Sequence, residues 1–496
     1  MSNHRAMTLA MSSRLLAGAV ALLLVLGTSG AVALELDPDA LRAADPPPGA
    51  ISDNLEFVAN APEASSAIAV NFIDDTMFVS TVTGIYSYDV ADPTAPQLLG
   101  VLPMYIWENE DMDLDADREL LFISRDPRGF TTPVAPAQAR LFGAVHIIDV
   151  SNPALMAQIG FVTLPGGHTS TCVSADPDDV DSCDYLWTGG PYGNTAFGPY
   201  GRPIYATDVT DPLNPVTCPE PINTGLMDDG STGYAHDVQV DGDGVAWVSH
   251  EAGVNGYWTA GDHTDPLTGL VRTATPCEPV PYGGGSTPAD ATPSRFMHNS
   301  YRNVDLAIPG EPGSAGAVLM ATEENLSSSC ASSGRFATYD IRSSLDGSGF
   351  ADPAGFRMDV LDTWTPEDAE GATGCASAHY FEDRGDGLLA YAFYGQGLRL
   401  LDVSDPADIR QVGYFRPDDA SAWAGYWHDG YLYVADNGRG VDILRLDETP
   451  DDSASTDPGA MPTLTAPALS AAAAARQVAR FEADAVFGYL CAIVVD

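Results

Sequence analysis

The segment Val145-His146-Ile147-Ile148-Asp149-Val150-Ser151-Asn152-Pro153 is an apolar, β-branched run that ends on aspartate and meets a proline four residues later. Such residues fit a pleated, buried strand. The Asn-Pro that follows forces a turn, because proline fixes φ and brings no N–H to a ladder. The phrase returns as Ile85-Tyr86-Ser87-Tyr88-Asp89-Val90-Ala91-Asp92-Pro93, as Ile204-Tyr205-Ala206-Thr207-Asp208-Val209-Thr210-Asp211-Pro212 and as Leu398-Arg399-Leu400-Leu401-Asp402-Val403-Ser404-Asp405-Pro406. Weaker copies occupy 336–341 and 441–446. A second pattern, strand, tight polar turn, strand, precedes the copies, as in Asp237-Val238-Gln239-Val240-Asp241-Gly242-Asp243-Gly244-Val245-Ala246-Trp247-Val248. Four short strands per unit, with unit starts roughly 45 to 80 residues apart, describe the blades of a β-propeller.

Working outward, inner strands are expected to start near Ala67, Glu110, His168, His236, His298, His379 and His428, which makes seven blades. The seventh unit stops after three strands, near Leu446. Conversely, Leu55-Glu56-Phe57-Val58-Ala59-Asn60 precedes the first inner strand much as Val412-Gly413-Tyr414-Phe415 precedes the seventh. The N-terminal strand should therefore complete the last blade and remove two exposed sheet edges. No amphipathic helix of useful length separates the strands before residue 460, which excludes a parallel α/β fold. The expected fold is all-β: a seven-bladed β-propeller over residues 51–448, closed by an N-terminal strand and followed by a short C-terminal helical tail.

The repeat core, together with His236-Asp237-Val238-Gln239-Val240-Asp241 and Cys375-Ala376-Ser377-Ala378-His379-Tyr380-Phe381, resembles the LVIVD-repeat proteins, exported bacterial and archaeal propellers. The resemblance spans about residues 55–447. It implies the fold and leaves function open, because one propeller scaffold serves binders and enzymes alike.

The chain ends fit an exported protein. Arg5 and Arg14 precede an apolar run over 15–26 and the triplet Ala31-Val32-Ala33, so residues 1–33 read as a signal peptide cut before Leu34. Residues 34–50 read as a linker, 449–467 as a flexible Thr/Pro/Asp/Ser/Ala linker, and 468–496 as the helical tail. No transmembrane segment is expected in the mature chain, so a secreted or cell-surface location follows. All seven cysteines lie beyond the cut, in an oxidising compartment where pairing is expected. Cys172 with Cys183 should bridge one hairpin of the third blade. Six cysteines allow 15 pairings, so the other bridges stay open. Cys218 to Cys277 and Cys330 to Cys375 are pairs that would join successive blades or loops, with Cys491 left over. Against 69 acidic residues stand 22 basic ones, all arginine, for a formal charge of −47. A nucleic-acid partner is excluded by a surface that repels phosphate.

The chemistry candidates are histidines in repeat register: Gly167-His168-Thr169, Ala235-His236-Asp237, Met297-His298-Asn299, Ala378-His379-Tyr380 and Trp427-His428-Asp429. Inner strands converge on one axis, so equivalent positions face one tunnel mouth. Imidazole is the commonest transition-metal ligand. In the second blade the equivalent segment, Trp107-Glu108-Asn109-Glu110-Asp111, supplies a carboxylate, Glu110, to the same ring. Copper, zinc and iron are all allowed by these ligand types, with two to four ligands and water at the ion. The competing role is structural, with each histidine bonding the neighbouring blade's backbone.

Other signals are negative. Asp111-Met112-Asp113-Leu114-Asp115-Ala116-Asp117 lacks the glycine and glutamate of a calcium loop and reads as a hairpin. No G-x-S-x-G, H-E-x-x-H or phosphate-binding loop occurs, and His250-Glu251 has no second histidine four residues on. The resulting expectation is a binding or scaffold module for an extracellular protein, glycan or small molecule, with no catalytic residue assigned. The alternative is a copper-type oxidoreductase built on the axial histidines. Copper-dependent methanethiol oxidases are similar in architecture alone.

Overall fold

The computed structural model describes residues 47, 49–104, 106, 110, 112–126, 143–190, 203–223, 235–250, 253–286, 296–324, 334–347, 358–366 and 377–447. The expected leader, the tail, Trp107, Glu108, Asn109, Asp111, Cys330, Cys375 and Cys491 lie outside them.

Seven antiparallel sheets follow one another along the chain as the blades of a β-propeller. Their inner strands, blades 1 to 7, are Ala67–Ile73, Met112–Asp115, Ser170–Val173, Ala235–Val240, Met297–Arg302, Phe381–Asp383 and Ala422–His428. The apolar core lies between neighbouring blades rather than at one centre. Tyr433 and Ile443 of blade 7, for example, share a cluster with Val79 and Tyr88 of blade 1.

The repeated Asp-Val has a physical role in each copy. The aspartate ending the third strand accepts the backbone N–H two residues on: Asp89 from Ala91, Asp149 from Ser151, Asp208 from Thr210 and Asp402 from Ser404, at 2.9–3.0 Å. The second Asx repeats the device, as Asp92 accepts from Thr94, Asn152 from Ala154, Asp211 from Leu213 and Asp405 from Ala407. These are Asx turns, which the side chain closes without help from a ladder. The valine between them is buried and donates its N–H back to the turn joining the first two strands of its blade: Val90 to Asp75, Val150 to Glu119, Val209 to Asp184 and Val403 to Gly387. The repeat thus locks the third strand to the inner hairpin.

The first and last described strands meet in blades 6 and 7. The strand Leu55–Ala61 pairs with Gly440–Leu446 as the fourth strand of blade 7. The short strand Gly49–Ile51 adds a fifth strand to blade 6 against Arg410–Pro417. Asn60 fastens the seam by donating to the Arg439 carbonyl at 3.0 Å and to the Asp442 carboxylate at 2.9 Å. Gly440 is obligatory there, since at φ +89° a Cβ would stand 2.2 Å from the Ala61 carbonyl oxygen.

Two disulfides occur among the described residues. Cys172–Cys183 closes the inner hairpin of blade 3. Cys218–Cys277 ties the edge of blade 3 to an insertion in blade 4 that carries the small hairpin Asp262–Thr264 and Val271–Thr273. The segment Met112–Asp115 with Leu120–Arg125 is a hairpin, as its alternation implied.

Candidate metal centre

A β-bulge builds the axial position in several blades. The inner-strand ladder skips between Ala67 and Ala69, Ala235 and Asp237, Met297 and Ser300, and Ala422 and Ala424. The residue left out of the ladder by a bulge is re-aimed. In blades 4 and 5 these positions belong to His236 and His298, in blade 1 to Ile68 and in blade 7 to Trp423. His168 and His379 stand two residues before the inner strands of blades 3 and 6, which start at Ser170 and Phe381. Glu110 does the same in blade 2.

Four of the predicted histidines and the predicted glutamate meet. The Nε2 atoms of His168, His236 and His298 each lie 3.2 Å from Glu110 Oε2, and that of His379 lies 3.4 Å from Glu110 Oε1. His168 Nε2 and His236 Nε2 are 2.9 Å apart. All five side chains are buried. His428 does not join them, because the inner strand of blade 7 starts at Ala422 and His428 is its last residue, at the opposite end. There its ring stacks on Phe72 at 4.0 Å, beside Arg384 and Trp427. The register error came from aligning on histidine. Aligning on the buried small residue before it, Ala67, Ala235, Ala378 and Ala422, finds Trp423 instead.

The second ring nitrogen fixes the tautomer of His236 and His379. His236 Nδ1 donates to the His298 carbonyl at 2.9 Å and His379 Nδ1 to the Trp423 carbonyl at 2.6 Å. His168 Nδ1 faces the buried Asp126 carboxylate at 2.9 Å. A carbonyl only accepts, so Nδ1 of His236 and His379 carries a proton, and in the neutral ring Nε2 is then the acceptor facing the cluster. For His236 and His379 the structural role holds, since one nitrogen bonds the next blade, while the other faces the axis. His298 makes no hydrogen bond through either ring nitrogen among the described residues.

Local backbone supports this geometry. Glu110 N–H and Ser124 Oγ both donate to the His168 carbonyl, at 3.2 and 2.8 Å, which ties the carboxylate's segment to the first histidine. Gly190, at φ +131°, lets the chain pass His168, where a Cβ would stand 2.6 Å from the histidine's own Cβ.

The electrostatics match the geometry. Burial drives His236 down to about 4, against the raising influence of Glu110. Burial, then the neighbouring His379 and His236, holds His298 well below the usual imidazole value. Burial alone would raise Glu110, but His168, His298 and His379 bring it well below the ordinary carboxylate range. Burial thus favours the neutral form of His236 and His298, the form in which an imidazole can bind a metal.

Further polar residues invisible to the sequence reading line the cluster. Tyr380 of blade 6 donates to Asp237 of blade 4 at 3.1 Å, bypassing blade 5, which only the converging inner strands allow. Burial pushes Asp237 up to about 8. Tyr394 donates to Glu324 Oε1 at 2.5 Å, and the buried Glu324 has a carboxylate oxygen within 4.8 Å of ring nitrogens of His236 and His298. Asp126 and Glu324 each end or follow the second strand of a blade, where no motif marks them.

Fold and cluster together define a seven-bladed propeller with a buried histidine and glutamate centre at its axis. The family model named LVIVD repeat matches residues 143–163, so this chain carries an LVIVD repeat and fits the LVIVD-repeat proteins its sequence resembles. The β-propeller domain of Cps50 (Swd1) from Myceliophteria thermophila aligns over 79% of this chain and 99% of its own, at 10% identity and a TM-score of 0.50. The periplasmic gluconolactonase PpgL of Pseudomonas aeruginosa aligns over 79% and 91% at 15% identity, with a TM-score of 0.49. At these identities the first likeness speaks for the fold alone. No curated protein sequence matches the chain.

Proposed function

We propose that the protein is an exported metalloprotein whose axis holds one divalent transition-metal ion on Glu110, His168, His236, His298 and His379. The observation that carries this reading is the convergence of four imidazole Nε2 atoms on one buried carboxylate at 3.2–3.4 Å. With Nδ1 of His236 bonded to a carbonyl and its ring held neutral by burial, its Nε2 lone pair points at a carboxylate, an arrangement of acceptors that a cation between them would relieve. The spacings suit an ion: with bonds of about 2.1 Å, neighbouring donors stand roughly 3.0 Å apart in an octahedron and roughly 3.4 Å apart in a tetrahedron. Five protein donors exceed what tetrahedral zinc uses and favour iron, or copper in a tetragonal site. The hydrogen bonds on Nδ1 are the outer-shell contacts that orient metal-bound histidines.

Export is supported by the two disulfides, which persist in oxidising compartments. Among the described residues no helix is long and apolar enough to cross a membrane. The described residues Asp126, Gly190, Ala235, Phe296 and Glu324 stand on the histidine side of the blades. That side is where an extracellular protein, glycan or small molecule would be recognised. A metal-dependent oxidoreductase is the second reading, favoured because five donors leave an octahedral ion one position.

Calorimetric titration with copper and zinc, with metal analysis of the purified protein, tests the proposal. One ion per chain is expected, with affinity lower by at least roughly 100-fold in Glu110→Gln and His236→Ala, since even outer-shell losses cost 10–100-fold. No saturable binding in the parent protein, or unchanged binding in both variants, refutes it.

A further inference from the structure

The repeat marks a second site by failing there. In blades 1, 2, 3, 5 and 6 the third strand ends on an aspartate that closes an Asx turn: Asp89, Asp149, Asp208, Asp340 and Asp402. Blade 4 has Trp258 at that position, opposite Val245 as Asp89 is opposite Thr76. The buried Thr259 follows in place of the valine and donates to the Ser174 carbonyl of blade 3 at 3.2 Å. Between these two blades, at the end of the ring away from the histidine cluster, lies a cavity of about 110 Å³. Val180, Val240, Trp258 and His263 wall it, with the carboxylates of Asp176 and Asp243 beside them.

The walls are fixed from both sides. The rings of Trp258 and His263 stack at 4.0 Å, and His263 Nε2 donates to the Ala260 carbonyl at 2.9 Å. Cys172–Cys183 closes the loop that carries Asp176 and Val180, and Cys218–Cys277 ties to blade 3 the insertion that carries His263. Gly244, at φ +81°, leaves room for that loop, since a Cβ there would stand 2.9 Å from Val180 Cγ1. A pocket held in shape before binding avoids the cost of ordering it.

The lining selects a cation on a short apolar stem. Arg302 bonds Asp243 at 2.7 Å but also Asp241 at 2.6 Å, so it does not offset Asp176. The Asp176 carboxylate accepts from the Asp178 N–H at 2.9 Å and meets no arginine among the described residues. Valines and an indole offer nothing to a hydrated metal ion, whereas they cover the methylenes behind an ammonium group. The chain has no lysine of its own to fill the cavity.

We infer that the cavity between blades 3 and 4 binds a primary alkylammonium group, from a free amine or a lysine side chain of another protein. Asp176 and Asp243 hold the ammonium, and Val180, Val240 and Trp258 cover the stem. The site shares no residue with the axial centre.

The chain has seven tryptophans, so the Trp258 indole N–H can be followed by nitrogen-15 NMR and assigned with Trp258→Phe. Butylammonium and Nα-acetyl-lysine methylamide are the probes, and butanol is the neutral control. The amines should shift the Trp258 signal saturably, and butanol should bind at least roughly fivefold more weakly. Asp176→Asn, which removes the charge and keeps the turn, should lower affinity roughly two- to fivefold, as losing an exposed ion pair does. Val180→Phe, which fills the cavity, should abolish the shift. Response to both amines assigns the site to a protein side chain, and response to butylammonium alone assigns it to a free amine. No saturable shift with either amine, equal binding of butanol, or affinity unchanged in Asp176→Asn or in folded Val180→Phe overturns the inference, whatever the axial metal titrations give.

Discussion

The axial position is polar in blades 2 to 6 and apolar in blades 7 and 1. Glu110, His168, His236, His298 and His379 occupy the first arc, Trp423 and Ile68 the second, and all seven are buried. The same backbone device, a bulge in the inner strand, presents His236 and His298 on one side and Trp423 and Ile68 on the other. Backbone geometry therefore places the residue without choosing its chemistry. The apolar arc coincides with the seam, where strand Leu55–Ala61 completes blade 7. A joint between distant parts of the chain relies on packing and hydrogen bonds, and the buried charge it does hold, Asp442, is matched by Arg439 at 2.7 Å. The polar arc spans blades whose strands follow continuously along the chain, and it carries the buried axial histidines and Glu110.

Acid should separate the two arcs most strongly. His236 and, in the outer part of blade 2, His146 are both held near about 4 by burial, so the folded chain keeps them neutral. The unfolded chain takes up protons below about 6.5. Their contribution is therefore present above that value and is lost as pH falls from about 6.5 toward 4, on the order of 3 kcal/mol for each. Metal-free protein should show a melting temperature falling steeply through this window, and the fall should shrink in His146→Gln. A flat profile from pH 7 to 4.5 would count against neutral buried histidines.

Damage at the seam should have a smaller effect, independent of metal. Gly440→Ala forces a side chain against the Ala61 carbonyl at a positive φ and should cost about 1–3 kcal/mol. Chemical denaturation should report that loss with metal stoichiometry unchanged. A Gly440→Ala protein as stable as the parent would mean that the N-terminal strand does not close the ring as described.

The smallest expected effect is at Asn60, whose amide serves the Arg439 carbonyl and the Asp442 carboxylate. Asn60→Ala should lower stability by about 1–2 kcal/mol, the range for losing hydrogen bonds to buried partners. Hydrogen exchange should show faster opening in 55–61 and 440–446 and no change around His236. Equal acceleration at His236 would show that seam and centre open together.

Much of this was legible in the residues. The repeated Asp-Val and Asx-Pro pairs declare strand ends and turns because their side chains make local bonds that need no tertiary context, as the Asx turns at Asp149 and Asn152 confirm. Glu110 and four histidines were legible as a set, since repeat register converts sequence position into radius and height in a ring. His428 misled because a strand has two ends, and a histidine in a motif does not say which end it occupies. Asp126, Glu324, Tyr380 and Tyr394 were illegible. Their partners lie 42 to 143 residues away along the chain, as in His168 with Asp126 and Tyr380 with Asp237, and no period links them.

Local chemistry in the sequence alone determined the blade, the blade count and the candidate donors, because turn-forming and strand-forming residues act over a few neighbours. The tertiary structure decided which nitrogen of each imidazole faces the axis, that Trp423 rather than His428 completes the ring, and which carboxylates surround the donors. Those outcomes depend on bulges and on contacts between strands from different blades, whose distances exist only once the ring has closed.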